Sequence, residues 1–303
     1  MKSSYRWAAF GMILVCGTLF AGGQRIQTTC SNGPACPPVA TACEPTANES
    51  LDAVLWVQMA GEYRANAIQS YGIAKRQFAA GMADKNWNAL SEIASGPFPD
   101  EAAVILDLDE TVLDNSAHQA YLTRNQLSYS PSIWAQWVKS RAAAAIPGAL
   151  DFLTTVAATR HAHVFYVTNR SKNDEPDTVE NLKKLGFPVS GDGSNVLSSG
   201  ESNPETGEVW TSDKTARRKY IGRKYRVILL LGDQLGDFVA DRNDLNLRID
   251  DVNKYSAYWG EKWLIVPNPM YGNWEQLLSG NSGCRSLALT RKNQALRVWL
   301  PPQ

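Results

Sequence analysis

The chain has 303 residues, of which 44% are apolar and 20% charged, an ordinary globular composition with material for a sizeable core. Thirty basic residues balance thirty acidic ones. That zero net charge offers no field to attract a nucleic-acid polymer or an anionic membrane surface.

The first 23 residues read as a secretory signal. Lys2 and Arg6 precede an apolar stretch over 7–20, and Ala21-Gly22-Gly23 supplies the small residues of a cleavage site. The apolar run is short for a membrane span, which needs about 20 residues. Cys16 opens a second reading, a lipidated cysteine that anchors the chain, although Val15 stands where that pattern expects a small residue. Export implies an oxidising compartment. Cys30, Cys36, Cys43 and Cys284 are even in number and lack nearby His, so disulfides are expected rather than zinc, one of them tying Cys284 to the N-terminal segment.

Residues 24–50, rich in Pro, Ser and Thr, read as a linker, and 51–303 as one domain with no internal break. Leu51, Val54, Leu55, Met59, Tyr63 and Ala67 recur at helical spacing, and helical character continues over 71–82. Trp87, Leu90 and Ile93 suggest a further turn or two before Gly96-Pro97. Ala102 to Leu106, AAVIL, reads as a buried strand. Helices are expected over 116–124, over 133–145 behind the cap Ser130, over 147–159, and over 177–185 ahead of Gly186. Residues 163–168, HVFYVT, form a second strand, 191–207 are turn-rich, and Ser212-Asp213 caps a basic helix over 214–221. Residues 226–231, RVILLL, and 263–266, WLIV, are the third and fourth strands. Strands alternating with helices imply an α/β fold with a central parallel sheet and right-handed crossovers.

Polar groups cluster where these elements meet. The first strand ends in Asp107-Leu108-Asp109-Glu110-Thr111, the second in Thr168-Asn169-Arg170, and the third in Gly232-Asp233, with Asp237 four residues on. Lys214 opens the basic helix. Catalytic groups of open α/β folds sit at such strand ends. Asp107 and Asp109, two apart, project to one side of an extended backbone. Grouped carboxylates repel unless a cation or shared proton intervenes, and oxygen ligands without Cys or His favour Mg²⁺ over Zn²⁺. Lys214, Thr168 and Asn169 add the donors that a phosphoryl group needs. No GxxxxGK[ST] is present, which excludes a P-loop nucleotide site.

With four motifs in this order, the chain resembles the haloacid dehalogenase (HAD) superfamily and, more narrowly, the class C acid phosphatases, exported bacterial phosphatases that include lipoprotein 5′-nucleotidases. VILDLDETVLDN and ILLLGDQLGDF carry the likeness, which spans about residues 50–280. One departure is His118, where the family has Tyr. The resemblance implies a HAD-like, Rossmannoid three-layer domain with a small helical cap from the N-terminal region. It implies Asp107 as nucleophile and Asp109 as general acid and base. Mg²⁺ would be held by Asp107, Asp233 and the backbone carbonyl of Asp109, with Asp237 supporting the metal shell or Lys214. Thr168, Asn169 and Lys214 would bind phosphoryl oxygens. Trp134 and Tyr271 match positions that sandwich an aromatic ring, and Asn115 and Arg170 are further candidates for the pocket. The implied substrate is a small phosphomonoester, a nucleoside monophosphate or aryl phosphate, and the implied assembly a homodimer. The rival readings are a catalytically silent nucleotide-binding or surface protein of the same fold, and a phosphotransferase that passes the phosphoryl group to an alcohol.

Overall fold

The computed structural model describes residues 49–93, 96–280 and 285–299, all within one unit, Cys43–Gln303. The expected signal segment, the linker up to residue 48 and all five cysteines lie outside the described residues.

In chain order the elements are α1 (Leu51–Met59), α2 (Gly61–Ala83), β1 (Ala102–Leu106), β2 (Leu113–Asp114), α3 (Ser116–Arg124), α4 (Pro131–Ser140), β3 (Ala144–Ala145), α5 (Ala149–Ala157), β4 (Ala162–Ser171), α6 (Glu175–Lys184), β5 (Val196–Ser199), α7 (Thr215–Lys224), β6 (Arg226–Gly232), α8 (Leu245–Lys254), β7 (Trp263–Ile265), α9 (Asn273–Ser279) and α10 (Arg285–Ala295). Five strands make one parallel sheet in the order β5-β4-β1-β6-β7. β1 lies at its centre, and all five of its residues are buried.

The pleat of β1 feeds two cores. Ala102, Val104 and Leu106 pack with Tyr71 and Phe78 of α2 and Phe152 of α5. Ala103 and Ile105 turn to the other face, with Ile221 of α7, Phe238 and Trp263. Each buried aliphatic side chain contributes roughly 2 kcal/mol. Helices therefore cover both faces of a parallel sheet, a three-layer α/β arrangement.

Several elements differ from expectation. The first helix breaks at Ala60, whose ψ of 129° is extended. α1 then buries Val54 and Val57 and leaves Leu51, Leu55 and Met59 exposed. α2 lies on the sheet, in contact with α5, β6 and β7, while α1 packs on α3. The N-terminal helical addition is thus divided between a sheet-covering layer and a flank near the site. Residues 84–93 are not helical: the Ala89 N–H bonds the Val227 carbonyl at 2.7 Å, and Trp87 Nε1 bonds that of Ile228 at 2.8 Å. α4 stops at Ser140 because Arg141 is left-handed, with φ of 53°. Ala144–Ala145 instead pair antiparallel with Leu113–Asp114. β5 falls inside the stretch expected to be turns, completing the sheet beside β4.

Candidate active site

The carboxyl ends of β1, β4 and β6 open into a cavity of about 860 Å³. Asp107 continues the β1 ladder, its N–H bonded to the Leu231 carbonyl at 3.0 Å. Beyond it the chain reverses tightly. The Leu108 carbonyl accepts from the N–H groups of Thr111, Val112 and Leu113, and Glu110 takes a left-handed φ of 62°. Tyr71 of α2 clamps this loop from below, its hydroxyl donating to the Thr111 carbonyl at 2.6 Å.

Lys214, at the start of α7, reaches between two acids. Its Nζ bonds Asp107 Oδ1 and, at 2.7 Å, Asp237 Oδ1. The side chains of Lys214, Asp107 and Asp237 are each no more than 8% exposed. Asp237 Oδ2 accepts the Gln234 N–H at 3.0 Å. Asp233 Oδ2 accepts from Asn268 Nδ2 at 2.8 Å. Gly232 is required here, because a Cβ at that position would stand 2.3–2.5 Å from Asp237 side-chain atoms.

Oxygens of Asp107, Asp233 and Asp237 lie within 4.8 Å of one another. Three carboxylates and one ammonium leave a charge of −2 when all are ionised. Burial pushes Asp107 up to about 7, against the pull of Lys214. Burial, then Asp237 and Asp107, hold Asp233 well above the usual carboxylate range. Burial works against the charge of Lys214, but Asp107 and Asp237 outweigh it and raise the lysine. A hard divalent cation with oxygen ligands fits this buried set. Asp237 already engages both its oxygens, so Asp107 and Asp233 have the greater capacity left for a metal.

Asp109 stands apart from that cluster, which its carboxylate does not join. Arg170 grips it through Nε at 3.0 Å and Nη2 at 2.8 Å, and Asn115 Nδ2 adds a bond at 2.9 Å. Arg170 itself is buried, bonds Thr178 and lies over the Trp134 ring at 5.5 Å. These three bonds all end on Asp109 Oδ1, and Arg170 Nε also reaches Oδ2 at 3.3 Å, which holds the carboxylate in place.

The expected site residues Asp107, Asp109, Trp134, Asn169, Lys214, Asp233, Asp237 and Tyr271 all line the cavity. Two others, Asn115 and Thr168, are not on its lining. Asn115 is fully buried: its amide serves Asp109 and Glu110, and its Oδ1 accepts Trp137 Nε1 at 2.8 Å, so it braces Asp109. Thr168 is also fully buried, its hydroxyl accepting the Arg170 N–H and its carbonyl accepting from Arg217. Arg217 Nη2 also bonds Asn169 Oδ1 at 2.8 Å, which leaves the amide donors of Asn169 for a ligand. Arg217, in the helix that Lys214 opens, and Asn268, in the loop after β7, complete these contacts, and nothing in their own spacing marks them.

These carboxylates at the ends of parallel strands, with a lysine between them, define an α/β site for phosphoryl chemistry. Residues 20–274 match the family model described as HAD superfamily, subfamily IIIB (acid phosphatase). The chain belongs to this family, whose members are phosphoric monoester hydrolases. Among solved structures it is similar to the class C acid phosphatase from Bacillus anthracis, at 30% identity and a TM-score of 0.69, covering 84% of this chain and 98% of that one. A crystal structure of the Bacillus anthracis enzyme with tungstate bound is similar at 28% identity and a TM-score of 0.70, covering 84% of this chain and all of that one. Among the described residues, no helix is long and apolar enough to cross a membrane.

Proposed function

We propose that this chain is an exported, Mg²⁺-dependent acid phosphatase that hydrolyses nucleoside monophosphates and aryl phosphates by way of an aspartyl-phosphate on Asp107. The observation that carries this reading is the buried lysine bridge from Lys214 to Asp107 and Asp237, set beside Asp233 and facing a roomy cavity.

Ionised Asp107 attacks phosphorus in line with the ester oxygen, and the bond from phosphorus to that oxygen breaks. Asp109, held in place by Arg170 and Asn115, gives its proton to the departing oxygen. It then takes a proton from water, whose oxygen attacks the aspartyl-phosphate. Inorganic phosphate leaves and Asp107 is restored. Lys214 and the Asn169 amide hold the phosphoryl oxygens in both steps. Asp107, Asp233 and the Asp109 carbonyl would hold Mg²⁺, which when bound supplies the positive charge that lets a carboxylate approach a phosphate dianion.

The tungstate bound to the Bacillus anthracis enzyme, a tetrahedral oxyanion, supports an oxyanion site in this fold. Trp134 and Tyr271 on the cavity wall support an aromatic leaving group, since stacking reads a ring's face and tolerates many rings. The pattern of residues 1–23 supports export, and likeness to class C phosphatases supports a homodimer. The intact mass of the mature protein distinguishes a lipid on Cys16 from a cleaved signal.

The test is hydrolysis of p-nitrophenyl phosphate between about pH 5 and 7, where such carboxyl groups change charge, with Mg²⁺ and with EDTA. Turnover that needs metal and disappears in Asp107→Asn is expected. A folded protein that turns over no phosphomonoester sinks the reading.

A further inference from the structure

Helix α10 lies beyond residue 274, where the match to the family model ends, yet Arg285 and Ala288 of this helix line the cavity. It joins three segments that are otherwise separate at the cavity's outer edge. Lys292 Nζ bonds Glu49 Oε1, just ahead of α1, at 2.9 Å and Glu275 Oε1 of α9 at 2.5 Å. Arg285 Nη2 bonds the Leu127 carbonyl, between α3 and α4, at 2.9 Å. Arg291 Nη1 bonds the Ser279 carbonyl at 3.0 Å. Glu49, Leu127 and Glu275 all belong to the cavity lining, so these bonds draw a strap around the mouth.

What holds the strap is unusual for the domain. α10 buries none of its residues, whereas every residue of the central strand is buried. An 11-residue helix with no fully buried residue has little intrinsic stability, so its charged tethers add to what half-buried Ala288 and Leu289 supply in holding it. Lys292, Glu49 and Glu275 are 21–26% exposed, open enough for salt to weaken them. Segments with few buried contacts open locally at low free-energy cost.

We propose that α10 is a latched rim that sets the size of the leaving group: closed through Lys292, it admits small phosphomonoesters and turns away bulky ones, and Lys292 is its positioning residue. The inference rests on the phosphatase reading but uses residues remote from the acids. Small aryl esters pass under the strap and reach Asp107. A phosphorylated side chain within a peptide needs the strap displaced before its phosphorus can come as close.

The experiment compares p-nitrophenyl phosphate with a net-neutral phosphotyrosine peptide, two aryl esters that differ mainly in bulk, using the full chain with Mg²⁺. Lys292→Ala, which breaks both ion pairs, is expected to raise the peptide-to-small-ester ratio of kcat/KM about fivefold, within what two such pairs supply. High salt is expected to move wild type the same way, and Lys292→Arg to restore the wild-type ratio. Hydrogen exchange over 285–295 is expected to quicken in Lys292→Ala and in wild type at high salt, but not in Lys292→Arg at low salt. An unchanged ratio, or exchange that does not respond to the variant, overturns the proposal. A protein that hydrolyses neither ester refutes the phosphatase reading, and the exchange measurement then decides the latch by itself.

Discussion

β1 and β4 carry a charged cluster at each end, and the two ends behave differently. At the carboxyl end, Asp107 and Lys214 are 8% and 7% exposed, and burial pushes the acid up to about 7. At the amino end, Glu101 accepts from or pairs with His161 Nδ1 at 2.6 Å and His163 Nε2 at 2.8 Å, but these three side chains are 41–50% exposed. There the hydrogen bonds to His161 and His163 dominate and hold Glu101 below the ordinary glutamate value. Similar bond lengths thus have opposite consequences. Water screens one cluster; its exclusion from the other leaves net negative charge that a cation or a proton can settle.

The largest effect should come from breaking the buried end. Lys214→Met leaves Asp107, Asp233 and Asp237 without their ammonium, and urea unfolding in EDTA should show a loss of about 3 kcal/mol. Steady-state kinetics should show kcat down about a thousandfold, because a positioned donor to the phosphoryl group is gone. Next comes Gly232→Ala, which drives a methyl group into Asp237 and displaces the lysine bridge. A cost of about 2 kcal/mol is expected in the same unfolding assay, with a matching fall in turnover.

A smaller effect lies between the two ends. His118 is buried, neither ring nitrogen has a partner among the described residues, and its ring meets Trp134 edge-on at 5.1 Å. Burial lowers it, with Asp109 opposing. As pH falls below the unfolded value of about 6.5, the unfolded chain takes up the proton first, so stability falls. Below the folded value the loss stops growing. His118→Phe should flatten the pH dependence of the urea midpoint across this window. The smallest effect is at the exposed end. Glu101→Gln should leave kcat unchanged and move the urea midpoint least of the four; a drop in kcat would show that the ends of the sheet are coupled.

Much of this division was legible in the chain. The bounds of β1 are evident because five apolar residues run straight into Asp107. Runs of this kind also marked β4, β6 and β7. β5 was lost because Val196-Leu197-Ser198-Ser199 is half polar among turn residues, and it is a strand only because β4 offers it an edge. The break at Ala60 was invisible, since the apolar spacing continues across it and only packing decides which side turns inward. The motif acids were evident one by one. Their partners were not: Arg170 meets Asp109 across 61 positions, and Asn115 faces inward because Trp137 and Glu110 claim it. Local pattern identifies chemical groups, and the fold chooses their neighbours.

The lysine bridge has a consequence for when the centre comes into being. Asp107 and Lys214 are 107 positions apart, so a ribosome releases the acid long before its counter-charge. Asp233 and Asp237 follow later still. A nascent chain, or one threaded unfolded through a membrane, therefore carries the acids without the centre. The centre is complete only once β6 and the turn behind it are in place.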